Sequence, residues 1–298
     1  MSLTPDILTI DVEEWFHGHN YLEQVPPATW DQQEQRVVAN TERVLELLEA
    51  RQVKATFFVL GWTASRHPDL VRRIAAAGHE VGCHSFAHPE VFQLDEQGFK
   101  DDLDRALEAL DACGVRPHGY RAPSFTITPP VHHYLEILRE RGFTYDSSIF
   151  PVRHPRYGQP DSPRRPFFLA GDEGETPYVV LPMPTWRLGG VNWPFSGGGY
   201  LRLLPGWVYE MVRAGARRQG QPCVIYLHPW ELDDFRPDTD QHSLLRWRSQ
   251  VGQDTVPRKL DHLLAIGDFR TMGGHVENLR IMGSLPTYPV SVIKRKKK

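Results

Sequence analysis

The run His84-Ser85-Phe86-Ala87-His88 sets two imidazoles four residues apart, and acids, an arginine and a further histidine accompany it at intervals from which a hydrolytic metal centre could be built. Alone the pair carries little weight, because 14 histidines in 298 residues make one such spacing an expected coincidence. The set is more specific. Upstream stands Thr9-Ile10-Asp11-Val12-Glu13-Glu14-Trp15, and downstream come Arg121-Ala122-Pro123-Ser124-Phe125, Tyr145-Asp146-Ser147-Ser148 and Tyr226-Leu227-His228-Pro229-Trp230-Glu231. On a strand Asp11 and Glu13 share a face, so both can converge on one pocket while Val12 faces the core. His84 and His88 can grip one cation if their segment turns helically. A third ligand oxygen from Glu13 would leave positions open for water and substrate, as a catalytic site requires. Two imidazoles and a carboxylate suit Zn²⁺, with Co²⁺, Ni²⁺ and Mn²⁺ also fitting.

The elements that must position these groups alternate. Ile7 to Val12 reads as a strand and Gln33 to Arg51 as a helix. Ala55 to Leu60 is a strand, Pro68 to Ala77 a helix with proline at its first turn, and Glu80 to Cys83 a strand ending at the histidines. Asp95 to Cys113 is a helix opened by an Asp cap. Gly119 to Arg121, Pro130 to Arg141 and Thr144 to Asp146 continue as strand, helix and strand. Five β/α units in about 140 residues predict an α/β fold with a parallel sheet closed into a barrel. Each chemical station then lies at or just past the C-terminal end of a strand, where such folds gather catalytic groups.

From about 150 to 199 prolines and glycines break the rhythm, and this stretch reads as an insertion within a single domain spanning 1–298. The pattern resumes with helix Pro205 to Arg218 and strand Cys223 to Leu227. A C-terminal extension over about 232–285 carries helices near Gln241 to Val251 and Thr255 to Ile266. The basic tail 294–298 is either a solvated end or a patch touching anionic membrane or polymer. Composition is that of a globular enzyme: 40% hydrophobic, 24% charged, net charge −3. Nothing in it points to nucleic acid. No apolar run is long enough to span a bilayer and no signal-peptide pattern opens the chain. Together with three widely spaced cysteines, this sets the expected location as cytoplasmic.

In order and approximate spacing the five stations resemble the motifs of the NodB-homology polysaccharide deacetylases, carbohydrate esterase family 4. The resemblance implies a distorted (β/α) barrel of about seven parallel strands and a metal-dependent hydrolase that removes N-acetyl groups from a glycan. Members commonly open with Thr-Phe-Asp-Asp-Gly, whereas Asp11-Val12-Glu13-Glu14-Trp15 resembles a subgroup found with bacterial exopolysaccharide loci. The implied roles follow by position. Asp11 is the general base, Glu13, His84 and His88 hold the metal with Glu14 as the alternative carboxylate, and Arg121 orients Asp11. The Ser124 N–H is the oxyanion donor, His228 the general acid, and Asp146 the partner that holds the His228 ring. Phe125 and Trp230, with Trp15, Phe16, Trp62, Trp186 and Trp193, offer faces on which a sugar could stack or which could simply pack.

The implied substrate is an N-acetylhexosamine-containing polysaccharide or its lipid-linked precursor, in exopolysaccharide biosynthesis. Two other functions fit parts of the pattern, an allantoinase-like hydrolase of cyclic amides and a non-catalytic glycan-binding relative. A binding protein has no need of both a base and an acid, which sets Asp11 and His228 against the last. Glycan, native metal and oligomeric state are not encoded in these motifs.

Overall fold

The computed structural model describes residues 5–171, 177–235 and 251–290. Strand β1 (Asp6–Val12) is buried along its whole length. Leu8, Ile10 and Val12 join the large core on one face, while Ile7 faces a second apolar cluster with Thr9 and Asp11 on its side. Strands buried on both faces belong at the centre of parallel sheets. Accordingly β1 pairs in parallel with β10 (Cys223–Leu227) on one side and β2 (Thr56–Val59) on the other.

Outward from β2 follow β3 (Glu80–Cys83), β4 (Gly119–Tyr120), β5 (Tyr145–Asp146) and β7 (Tyr178–Val180), all parallel. Seven consecutive strands thus run in one direction. Then β6 (Phe167–Leu169) pairs antiparallel with β7, β12 (Thr287–Tyr288) adds to β6, and β11 (Phe269–Arg270) pairs with the start of β1. Nine of the ten strands form an open path from β10 to β12 among the described residues, with β11 branching from β1, so the pairing itself does not contain the expected barrel closure.

The first helices match their expected places: α1 (Val37–Ala50), α3 (Pro68–Ala76), and α4 (Glu96–Asp111), where the Asp95 carboxylate accepts from Gly98 N–H as the cap. A short α2 (Gly61–Arg66) was not expected, and the fifth helix shortens to α5 (Tyr134–Glu140). The expected insertion is partly sheet. It holds β6, β7 and a hairpin of β8 (Thr185–Leu188) and β9 (Val191–Pro194), strands of three or four residues too short to show periodicity between so many prolines. Next come α6 (Gly198–Leu203), α7 (Gly206–Arg218), α8 (Val256–Ile266) and α9 (Met272–Met282). The helix expected near 241–251, but for its last residue, and the tail 294–298 lie outside the described residues. No described helix is long and apolar enough to cross a membrane.

Candidate active site

Parallel pairing brings the C-terminal ends of β1, β2, β3 and β10 side by side: Ile10 lies opposite Leu227, Val12 opposite Val59, and Val59 opposite Cys83. The residues just past those ends therefore meet. Asp11, Glu13, His84, His88, Ser124, Phe125, His228 and Trp230 all line one pocket of about 180 Å³.

One arginine organises its floor. Arg121, fully buried just past β4, donates from Nη1 to Asp11 Oδ1 at 2.7 Å and to Thr9 Oγ1 at 2.8 Å, with its guanidinium 4.3 Å from the Phe58 ring centroid. Its backbone carbonyl meets His84 Nδ1 at 2.7 Å. That bond gives the ring's proton to the Nδ1 side and leaves Nε2 as a lone-pair donor.

Glu13, His84 and His88 offer ligand atoms that all lie within 4.8 Å of one another, and all three residues are buried. Glu13 Oε2 stands 2.9 Å from His88 Nε2. Burial pushes the His84 imidazole down to about 4, so it is neutral near pH 7, as a ligand must be. Burial opposes ionisation of Glu13, but the His88 and His228 charges outweigh it and hold its carboxyl well below the usual range. A buried, ionised carboxylate with two imidazoles fits a divalent cation by donor type and proximity. The route by which the histidines converge differs from the expected helical turn. The segment 84–88 is a bent loop, and positive φ at Ser85 (66°) and His88 (55°) turns the rings together.

Glu14 is excluded as the alternative ligand by its own contacts. Its Oε1 accepts from Arg36 N–H at 2.7 Å and Val37 N–H at 2.9 Å, capping α1. Burial raises its carboxyl to about 7. Beside it, buried His17 accepts from Glu14 N–H through Nδ1 and sits among Phe16, Trp30 and Trp62. Trp15, Phe16 and Trp62 are thus packing residues, and Trp186 packs on Gly215, whereas Trp193 is exposed.

The Ala122–Phe125 loop carries the expected oxyanion donor in a strained form, with Ser124 at φ 50° and Phe125 at φ 57°. Ala122 N–H donates to Ser148 Oγ at 2.8 Å, and Ser148 Oγ donates to Asp146 Oδ2 at 2.5 Å. The Ser124 N–H meets no protein acceptor among the described residues.

Asp146 is consequently not the partner of His228. Its carboxylate is turned onto Ser148, whose N–H it also accepts at 2.9 Å, and burial raises it to about 7. The partner is Glu231, which closes the last motif and to which the resemblance assigns no role. His228 Nδ1 lies 3.0 Å from Glu231 Oε1, which also accepts His228 N–H at 3.2 Å. Pro229 opens the tight turn that returns residue 231 to residue 228. Burial disfavours charge on His228, but the Glu13, Glu231 and Asp11 carboxylates together outweigh it and raise the ring to about 9. Trp230 stacks on His228 at 4.9 Å and 13°, so one of its faces is occupied.

The glycine run Ser196 to Tyr200 finds its reason here. A Cβ on Gly198 would fall 2.0 Å from Glu231 Oε2, and one on Gly197 would fall 2.6 Å from the Tyr226 ring. At the mouth, Glu90 pairs with His19 at 3.2 Å and with Arg156 at 3.3 Å, groups that carried no sequence signal.

Residues 23–145 match the polysaccharide deacetylase family, and residues 147–277 match a domain of unknown function, DUF3473. A peptidoglycan-N-acetylglucosamine deacetylase of Bacillus cereus is 38% identical over 96 residues, covering 32% of this chain and 33% of that protein. A chitooligosaccharide deacetylase of Rhizobium leguminosarum bv. trifolii is 42% identical over 74 residues, covering 24% and 34%. The chain thus spans about a third of the length of these curated relatives. The crystal structure of an inferred polysaccharide deacetylase from Mycobacterium smegmatis superposes with a TM-score of 0.65 at 24% identity, over 100% of this chain and 97% of that one. At that identity the likeness speaks for the fold. Residues 23–145 are thus similar to the polysaccharide deacetylase family, and the second half of the chain to a domain of unknown function.

Proposed function

We propose that this protein is a metal-dependent deacetylase that hydrolyses the N-acetyl group of an N-acetylhexosamine residue in a polysaccharide or its lipid-linked precursor. The observation that carries the reading is the convergence of a Glu13/His84/His88 cluster with an arginine-held Asp11 and a carboxylate-held His228 in one pocket. A divalent cation held by Glu13, His84 and His88, Zn²⁺ by donor type, would supply Lewis-acid polarisation of the amide carbonyl and acidify the attacking water.

The chain's own residues do the rest. Arg121 holds Asp11 by a charge-assisted bond in a dry setting, fixing the carboxylate that accepts the proton of the attacking water. As the water oxygen bonds to the carbonyl carbon, negative charge grows on the carbonyl oxygen, and the Ser124 N–H is the fixed donor for it. His228, kept protonated by its carboxylate neighbours, gives a proton to the amide nitrogen as the C–N bond breaks. Acetate and a free amine leave. The pocket admits an acetamide and the edge of one sugar ring, with Phe125 and Tyr157 among its walls.

We infer action during exopolysaccharide assembly inside the cell as the setting. The test is acetate release, with matching appearance of primary amine, from chitooligosaccharides by metal-loaded protein. Absence of release from every N-acetylated glycan in a panel, with the metal bound, would overturn the reading.

A further inference from the structure

A second cavity, of about 650 Å³, opens beside the approach to β10 and shares no lining residue with the catalytic pocket. Pro222 lines it, whereas His228 lies six residues further on, about 20 Å away along an extended strand. Three arginines, Arg164, Arg165 and Arg187, face it.

Gln219 ties their segments together, through the side chains of Arg164 and Arg165 and the backbone of Arg187. Its Oε1 accepts from Arg164 Nη2 at 2.7 Å and from Arg187 N–H at 3.2 Å, its Nε2 donates to the Arg187 carbonyl at 3.2 Å, and its own carbonyl accepts from Arg165 Nε at 3.0 Å. Arg164 is pinned further by Thr185, through Oγ1 at 3.0 Å and the carbonyl at 2.8 Å. Arg165 lies over Gly220, where a Cβ would come 3.0 Å from its Cζ, so the glycine makes room for the guanidinium.

None of the three has an ion-pair partner among the described residues. Arg165 and Arg187 are exposed at the cavity's rim and Arg164 is half-buried, whereas the buried Arg121 and Arg213 and the half-buried Arg36 are neutralised by Asp11, Asp6 and Asp233. Burial, and after it the charges of Arg187 and Arg165, holds the Arg164 guanidinium below its usual range. Buried His275 lines the same cavity, and its Nε2 has no hydrogen-bond partner among the described residues. Three guanidinium groups around one concave space, one of them held by the Gln219 amide and none paired with an acid among the described residues, call for an anion.

We propose that this cavity binds an oxyanion of the phosphate or carboxylate class, gripped by the terminal nitrogens of Arg165 and by Arg187. The guanidinium fork matches both groups bidentately, and the space accommodates a sugar phosphate or a uronic acid. The inference does not rest on the deacetylase reading.

The experiment is calorimetric titration of the whole protein with inorganic pyrophosphate and, separately, with glucuronate. One probe or both should bind, more weakly at higher salt, and which one binds decides between phosphate and carboxylate. R165Q/R187Q should weaken binding by about tenfold or more, while H84A/H88A, which dismantles the metal centre, should leave it unchanged. R187Q alone, at a residue with no side-chain hydrogen bond among those described, gives the same reading with weaker loss should the double variant lose stability. No binding of either probe at millimolar concentration, or binding that survives R165Q/R187Q, would overturn the proposal. Acetate release from neutral chitooligosaccharides is expected to be the same in R187Q as in the unmodified protein.

Discussion

His228 Nδ1 and Glu231 Oε1 stand 3.0 Å apart across a four-residue turn, both largely enclosed, and Glu231 joins Glu13 and Asp11 in favouring a proton on the pocket's acid. A carboxylate beside an imidazole stabilises the imidazolium, so removing its charge lowers the ring's affinity for a proton. Glu231→Gln should therefore move the alkaline limb of the pH–rate profile to lower pH, by roughly one unit or more. Asp146→Asn should leave that limb in place and instead lower turnover, because Asp146 acts on the Ala122 loop through Ser148. Rate profiles of the two variants check this, and a limb that moves with Asp146 but not with Glu231 would contradict the assignment.

The same pair explains a glycine. Gly198→Ala places a methyl carbon within 2.0 Å of Glu231 Oε2, so the carboxylate must move, whereas a Cβ on Gly206 meets nothing within 4 Å. Gly198→Ala should reproduce much of the Glu231→Gln profile, and Gly206→Ala should resemble the unmodified protein. Equal activity in the two glycine variants would show that the displacement is absorbed without reaching His228.

Two adjacent acids do different work. Glu13→Gln, His84→Ala and His88→Ala should each strip bound metal and activity together, since two remaining ligands hold a divalent ion poorly. Glu14→Gln should keep the metal and lower stability by about 1 kcal/mol through the weakened start of α1. Elemental analysis beside urea unfolding separates the two outcomes, and metal loss in Glu14→Gln would reverse the assignment.

How far these roles could be read from the chain depends on the range of the interaction. Strand and helix positions up to residue 146 follow from local apolar spacing and caps, and β3 falls on its expected residues Glu80–Cys83. The two-residue alternation of β1 likewise placed Asp11 and Glu13 on one side. Side-chain partners at long separation left no local mark: Arg121 meets Asp11 across 110 residues. The misassigned partner of His228 shows the complementary error. The resemblance gives Asp146 that place, yet the turn set by Pro229 brings Glu231 closer, and that turn is legible in Pro229-Trp230-Glu231. The left-handed backbone at Ser85 and His88 carries no glycine to announce it, so the histidine pair looked helical.

The base should be separable from the metal. Asp11→Asn is expected to retain the metal and the fold while turnover falls by about 10²-fold or more, the scale of a lost general base. Arg121→Ala should also lower turnover, and because it leaves a carboxylate without its buried counter-ion it should cost about 3–5 kcal/mol in stability. Turnover of Asp11→Asn near that of the unmodified protein would remove Asp11 from the base role.

Asp146 makes the fold itself sensitive to pH. Burial raises its carboxyl from an ordinary 3.8 to about 7, so the folded state binds the proton more tightly than the unfolded chain. A raised folded value gives stability that is fully present below the unfolded value and is lost as pH climbs through the folded one. From pH 4 to above 7 this one group should withdraw about 4 kcal/mol, three units at 1.36 kcal/mol each. An amide cannot titrate, so in Asp146→Asn that slope should vanish. The stability of the unmodified protein minus that of Asp146→Asn, from urea unfolding at several pH values, should therefore fall steadily between pH 4 and 7. A difference independent of pH would mean that Asp146 is ionised throughout, held so by Ser148 and the Arg121 charge in spite of its burial.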